Sequence, residues 1–398
     1  MITNIPKHWK IKKLGEIGKV KMCKRIFKDQ TNKDSNGIPF YKIGTFGGIP
    51  DAFISKELYN EYKNKYPYPK KGDVLISAAG TIGRLVVFDG TPSYFQDSNI
   101  IWIENDENIA LNKYLYHLYS NVKWKTTEGG IVSRLYNADV ESLELPIPPL
   151  KEQEKIAEIL LSCDKAIRLT TQIITQLKQR NQGLAQQLLT GEKRVKGFEK
   201  SVWKEVRLGE IGFFFKGKGV SKNKIIDKGF KCLTYGDLYT KYNFVIKDIK
   251  SFIDKETALI SQEIRYGDIC FAGSGETLED IGKCATFIDD EIGYAGGDII
   301  VFRTKQNPIT MSYLLNSDIV KKQKTNMGQG HSVVHIYSSQ LEKLEVSLPS
   351  LTEQNAIAQI LDTAHQELKL YEQKLQLLQA QKKTLMQKLL TGEVLTIK

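Results

Sequence analysis

The 398-residue chain carries most of its sequence pattern twice. Trp9 is followed by Leu14-Gly15-Glu16-Ile17-Gly18, and Trp203 by Leu208-Gly209-Glu210-Ile211-Gly212, 194 residues later. Lys71-Gly72-Asp73-Val74-Leu75-Ile76 matches Tyr266-Gly267-Asp268-Ile269-Cys270-Phe271 at an offset of 195. Asn99-Ile100-Ile101 matches Asp298-Ile299-Ile300 at 199. Leu150-Lys151-Glu152-Gln153 matches Leu351-Thr352-Glu353-Gln354 at 201, and Leu188-Leu189-Thr190-Gly191-Glu192 matches Leu389-Leu390-Thr391-Gly392-Glu393 at the same 201. The offset only grows, as it does when loops gain residues, so the chain is an internal duplication. A period near 200 residues is too long for a solenoid, whose repeats are 20–45 residues. Each copy must be a domain with an appendage.

The appendage reads as one long helix. Seam positions in the first copy are Ile156, Leu160, Cys163, Ile167, Thr170, Ile174, Leu177, Asn181, Leu184 and Leu188. In the second they are Ile357, Leu361, Ala364, Leu368, Tyr371, Leu375, Leu378, Lys382, Leu385 and Leu389. After one step of four the spacing alternates three and four, which is the heptad rule of a coiled coil. Pro148-Pro149 and Pro349 stand before the helices, and Gly191 and Gly392 after them, as start and stop signals. About 40 residues at 1.5 Å each give a rod of roughly 60 Å. The order globule, helix, globule, helix predicts that the second helix runs back antiparallel along the first. Both seams are then buried and the termini meet, because Val394–Lys398 joined to Met1–His8 would replace the linker 193–202 almost residue for residue. Asn181 and Lys382 take the same seam position, where a polar residue fixes register at some cost in stability.

Short strands are predicted at Ile38–Ile43, Asp73–Ser77, Leu85–Phe88 and Asn99–Glu104, and a short helix at Asn112–Ser120. The counterparts lie near Lys231, Asp268, Cys284, Asp298 and Ser312. The fold class is therefore α+β: two duplicated mixed globules joined by two long antiparallel helices, with approximate two-fold symmetry. The divisions fall at 1–149 and 192–349 for the globules, 150–191 and 350–392 for the helices, and 393–398 for a tail near the N-terminus.

The partner is suggested by charge. Lys and Arg number 57 against 46 Asp and Glu, a formal net charge of +11, which favours a polyanion as partner, most simply nucleic acid. The five cysteines are widely spaced, with no C-x-x-C, which argues against a disulfide framework and fits a reducing cytoplasm. Met1–Lys10 is polar and contains Pro6, unlike a secretion signal, and no run is long and apolar enough for a membrane span.

Two segments in each copy are candidate DNA contacts. Ser77-Ala78-Ala79-Gly80-Thr81-Ile82-Gly83-Arg84 follows a strand, and its partner runs from Ala272-Gly273-Ser274-Gly275 to Ile281-Gly282-Lys283. Small residues allow close backbone approach, and Thr81, Arg84, Ser274 and Lys283 offer phosphate contacts. After the short helix come Lys123, Lys125, Thr126, Thr127 and Arg134, matched by Lys322, Lys324, Gln329, His331 and Ser332. Bases, amides and hydroxyls in a Gly-flexed segment suit groove contacts. Lys42 is counted with them. The stretches Lys19–Tyr66 and Phe213–Arg265 differ most between the copies and would read different sequences, giving an asymmetric two-part target.

Enzymatic patterns fail. Gly212–Gly219 nearly matches a phosphate-binding loop, but Gly219 stands where the magnesium-binding Ser or Thr belongs. Asp51, Glu61 and Lys63 mimic a metal-nuclease set in a segment that looks irregular and has no counterpart in the second copy. His331 and His335 have zinc spacing, but Ser332 replaces the required glutamate. No catalytic residues and no metal site are predicted. A stand-alone metal nuclease and a structural coiled-coil adapter are the alternatives.

With these residues in view, the chain resembles, over its full length, the specificity subunit of type I restriction-modification systems. The resemblance is carried by Trp9…Leu14-Gly15-Glu16-Ile17, by Gly72–Ile76 with Gly80-Thr81-Ile82-Gly83, by Leu145-Pro146-Ile147-Pro148-Pro149-Leu150-Lys151-Glu152-Gln153, and by their second copies. Ser350 replaces a proline, and Glu276–Asp280 interrupt the second Gly motif. The resemblance implies two target recognition domains, each reading half of a bipartite site on double-stranded DNA, with the rod setting the spacer. It implies a chain that binds no cofactor and recruits two methylation subunits using S-adenosylmethionine. Restriction subunits using ATP and Mg²⁺ would join them. Ile159, Ala166 and Ile173 widen the first helix's apolar stripe toward either neighbour.

Overall fold

The computed structural model describes residues 5–124, 134–328 and 334–396, and it divides into two compact units. The first comprises 1–171 and 374–398, the second 172–373. Each unit holds one globule and one half of the helix pair.

In the first unit the central sheet has four antiparallel strands in the order Gly18–Met22, Ile100–Asn105, Val74–Ser77 and Leu85–Val87. Val74–Ser77 is buried at every position, which explains its apolar run. A smaller sheet sets Phe53–Ile54 and Tyr94–Phe95 on either side of Ile38–Tyr41. Trp102, Phe40, Phe46, Tyr94 and Phe95 fill the space in this part of the globule. The helix Asn112–Ser120 covers the other core, with Tyr114 and Leu115 buried against Ile76, Ile101 and Ile103.

The second unit repeats the plan with five strands: Gly212–Lys216, Ile299–Thr304, Ile269–Ala272, Cys284–Phe287 and Val245–Ile246. Its smaller sheet has four, Phe252–Ile253, Phe230–Leu233, Gly293–Ala295 and Gln262–Ile264. The helix Pro308–Leu315 takes the place of Asn112–Ser120. Gly212–Lys216 pairs with Ile300–Thr304, so the residues that mimic a phosphate-binding loop begin as a β-strand.

Two long helices, Leu150–Leu189 and Leu351–Thr391, are the predicted appendages. In the second unit Lys178 pairs with Glu372, Arg180 with Glu367, and the Asn181 amide donates to the Ala364 carbonyl. Numbers rise on one helix as they fall on the other, so the helices are antiparallel. In the first unit Asp164 meets Lys382, while Ile156, Ala157 and Leu160 pack with Leu389 and Leu390. No seam position of either heptad series is exposed. The polar seam pair is resolved differently: Asn181 bonds backbone across the seam, and Lys382 finds a carboxylate.

Each helix is locked to its globule at its first turn. Glu152 is 3% exposed, and its Oε2 accepts the Trp9 indole N–H at 3.1 Å and meets His8 Nε2 at 2.9 Å. Gln153 accepts the Leu111 amide at 2.7 Å and donates to the carbonyls of Ile109 and Pro148. In the second unit Glu353 accepts Trp203 at 3.3 Å, Ser201 at 2.5 Å and a two-pronged Arg194 at 3.0 Å. Gln354 accepts the Asn307 amide at 2.9 Å and donates to Gln306 and the Pro349 carbonyl. The E-Q dipeptide is thus a clamp: the glutamate ties down the strand-leading tryptophan, and the glutamine satisfies backbone groups where the globule's helix begins. The strand behind each tryptophan pairs with the strand that feeds the long helix, Lys10–Lys13 with Glu144–Ile147 and Lys204–Arg207 with Glu345–Leu348. Gly392 lies beside Pro6 and Trp9, and Gly191 beside Trp203, so the same junction is made by the chain's ends in one unit and by a continuous linker in the other.

Candidate nucleic-acid interface

In the first globule the Gly-rich segment folds back on itself at the end of Val74–Ser77. The Ser77 hydroxyl donates to the Thr81 carbonyl at 2.5 Å and accepts the Arg84 amide at 2.8 Å. Gly80 and Gly83 have φ of +65° and +81°, a region that favours glycine. Arg84 is exposed, and its guanidinium donates to the Phe46 carbonyl at 2.8 Å, tying the loop after Ile38–Tyr41 to this turn. Lys42 stands at the base of that loop and pairs with Asp51 at 2.9 Å. Arg134 bridges to Ala79 and donates to the Ser98 carbonyl at 2.9 Å. Ser98 has φ of +53°, and the arginine holds this strained turn from outside. Lys42, the Thr81–Arg84 turn and Arg134, remote from one another in sequence, therefore gather around one set of loops. Lys123 is exposed beside Trp124, whose ring packs on Tyr119.

The second globule builds the same turn with different chemistry. Ser274 is 6% exposed, and its hydroxyl meets His335 Nδ1 at 3.0 Å. The Tyr239 hydroxyl donates to the Ser274 and Asp280 carbonyls at 3.1 and 3.2 Å. Lys283 reaches the Tyr239 carbonyl at 3.4 Å, and burial lowers its pKa. Where the first globule has an irregular loop after Ile38–Tyr41, the second has the helix Tyr235–Thr240. A cavity of about 190 Å³ next to this turn is lined by Asp280, Lys283, Asn316, Lys321 and Lys324, among others.

Four expectations need correction. Lys322 and Lys324 are not in a Gly-flexed loop but on the helix Asp318–Met327. The run from Asp318 to Met327 holds no Gly or Pro, and half of it is good helix formers, Lys321 to Lys324 and Met327. Lys324 is not a surface contact: it is 1% exposed, and its ammonium donates to the Gly282 carbonyl at 2.7 Å. Ser274 is turned inward to His335 rather than outward. The segment containing Glu61 and Lys63 is not irregular but the helix Lys56–Lys65, started by Ser55, whose hydroxyl accepts the Leu58 amide. On it Lys63 lies over the Tyr59 and Tyr68 rings, whereas Asp51 pairs with Lys42, and that pairing holds the Asp51 carboxyl below its usual range. Lys125, Thr126, Thr127, Gln329, His331 and Ser332 lie outside the described residues.

Sequence reasoning noted Glu152, Gln153, Glu353 and Gln354 as a marker but not as the clamp they form. The basic segment at Lys123 includes Trp124 without giving it a role, and nothing in the sequence marks Tyr239; both pack against the Gly-rich turns. No group of three or more potential metal ligands gathers among the described residues, and no helix among them is long and apolar enough to cross a membrane.

The comparisons with known proteins agree with one another. The family model for the type I restriction modification DNA specificity domain matches twice, at residues 6–179 and 200–380. A putative type I restriction enzyme specificity subunit of Haemophilus influenzae is 59% identical over 172 residues, covering 43% of this chain and 44% of that one. A putative MjaX specificity subunit of Methanocaldococcus jannaschii is 25% identical over 99% of this chain and 95% of its own length. The crystal structure of a type I restriction-modification S subunit from M. genitalium superposes with a TM-score of 0.62 at 16% identity, covering 98% of this chain and 97% of that one, a likeness of fold.

Proposed function

The chain belongs to the type I restriction modification DNA specificity family, and from that premise we propose that each globule reads one half of a bipartite, asymmetric DNA site. The chain's part is specificity, not catalysis. The paired helices fix the spacer between half-sites and dock two methylation subunits. Those subunits use S-adenosylmethionine to methylate adenine at N6 on an extruded base. Restriction subunits using ATP and Mg²⁺ complete the assembly. Half-sites one helical turn apart, roughly 34–36 Å, would present themselves on one face of the duplex. A cytoplasmic location follows from this role.

The observation that carries this reading is where the two copies agree and where they part. The clamp, the seam and the Gly-rich turn recur. The groups around that turn do not: Arg84 with Phe46 and Arg134 with Ser98 on one side, Tyr239, His335 and Lys283 on the other. A constant frame with changed loops is what two readers of different sequences need. The net charge of +11 supports a polyanionic target.

The test is methylome sequencing of cells that carry the chain with its methylation subunit. The expected outcome is a split motif with N6-methyladenine in each half, and exchange of residues 1–149 changes one half only. An assembled complex that methylates no motif, and a chain with no salt-dependent DNA binding, would sink the proposal.

A further inference from the structure

In both globules one side chain crosses the glycine just before the basic residue that ends the Gly-rich segment. In the first it is the Trp124 indole over Gly83, so close that a Cβ on the glycine would collide with the ring. In the second it is Lys324 over Gly282, with Cδ 3.0 Å from where a Cβ would stand. Both glycines have left-handed backbone, φ of +81° and +66°. The crossing residues come from unlike structures, an irregular segment after Asn112–Ser120 and the helix Asp318–Met327, yet they reach the same place.

Lys324 is an expensive way to cover a glycine. It is 1% exposed, and no carboxylate pairs with it among the described residues. Its one polar contact of note is the 2.7 Å bond to the Gly282 carbonyl. Burying an ammonium without a counter-charge costs stability, and burial lowers its pKa accordingly. A methionine of similar length would cover the glycine without that cost. What methionine could not do is hold the carbonyl, and that carbonyl sets the peptide plane leading to Lys283.

We propose that Trp124 and Lys324 are positioning residues that fix the turns at Gly83 and Gly282 and so decide how Arg84 and Lys283 are presented to DNA. This rests on the reading of each globule as the reader of one half-site. Trp124 acts by filling space and Lys324 by holding the backbone. The two halves are therefore open to different substitutions.

The experiment uses the full chain, incubated with a pool of random-sequence DNA duplexes, and the bound fraction is sequenced. The wild type enriches a two-part motif. Lys324→Met keeps the stem and removes the bond. It retains the wild-type melting temperature or raises it, yet loses roughly tenfold or more of base discrimination in one part only. Trp124→Leu relaxes the other part only. Gly282→Ala, which forces a Cβ against the Lys324 stem, acts like Lys324→Met. If Lys324→Met leaves both parts sharp, or blurs both equally, the positioning role is wrong. A lowered melting temperature with an unchanged motif marks Lys324 as merely structural and overturns it too. A wild-type chain that enriches no motif overturns the half-site reading itself.

Discussion

The first unit closes its clamp and seam with histidine, lysine and methionine; the second uses arginine at the clamp and leaves a space at the seam. Glu152 meets His8, which is half-exposed, whereas Glu353 is gripped by Arg194, whose side chain is only 20% exposed. Further along, Asp164 sits between Lys382 and the fully buried His117. The matching positions in the second unit are His365, Asn181 and Tyr313, and there the structure has an open cavity of about 430 Å³. Duplication supplies the same frame twice, so each difference between the units isolates what one set of side chains contributes.

The clamp carries the largest expected difference. Glu353→Gln leaves a partly buried guanidinium without its carboxylate, at a cost of about 3–5 kcal/mol. Glu152→Gln removes a partner from a tryptophan and a solvated histidine, costing about 1–2 kcal/mol. Hydrogen exchange of the segments 194–203 and 5–9 measures the two separately. Equal losses would show that Arg194 adds nothing to the lock.

Acid separates the units next. Burial pushes the His117 imidazole down to about 4; the Asp164 carboxylate opposes this and Lys382 reinforces it. The folded first unit therefore holds His117 neutral, while the unfolded chain takes up a proton below about 6.5. Stability from this residue is complete above 6.5 and is lost as pH falls toward 4, by at most roughly 3 kcal/mol. Tyr313 takes this position in the second unit and does not titrate in that range. His117→Tyr should flatten the acid limb of the first unit's unfolding between pH 6.5 and 4. An unchanged limb would place the acid sensitivity in the carboxylates instead.

This pattern also shows what a sequence can reveal. The duplication, the heptads, the strands at Ile38, Val74, Leu85 and Ile100 and the helix at Asn112 were legible because each follows a period or a repeat. The helix Lys56–Lys65 was hidden because it buries only Tyr59, so it has almost no apolar stripe to detect. The site was half legible. Basic charge beside glycines singles out Arg84 and Arg134 as candidates, and the structure sets both around the Gly-rich turn, but charge says nothing about direction. Lys324 shares that signature and points inward. Trp124 lies inside the basic segment that begins at Lys123, but nothing in the sequence ties it to Gly83, and no motif marks Tyr239. The roles of Glu152 and Gln153 could not be inferred from the motif, since their partners lie about 40 to 140 residues away.

The smallest effect tests the seam. Met386 packs against the first unit's core, and Ala185 occupies the matching place beside the second unit's cavity. Met386→Ala should cost about 2 kcal/mol, by opening in the first unit a space like that in the second. The reverse change, Ala185→Met, needs no backbone shift, because the cavity already offers room among Leu189, Leu361 and Leu368. It should add about 0.5–1 kcal/mol, read as slower hydrogen exchange in residues 180–190. The two results must be taken together. If Ala185→Met destabilises while Met386→Ala behaves as expected, the space in the second unit is not a packing defect. It is then kept open by the side chains around it, and the two halves of the seam have diverged for different ends.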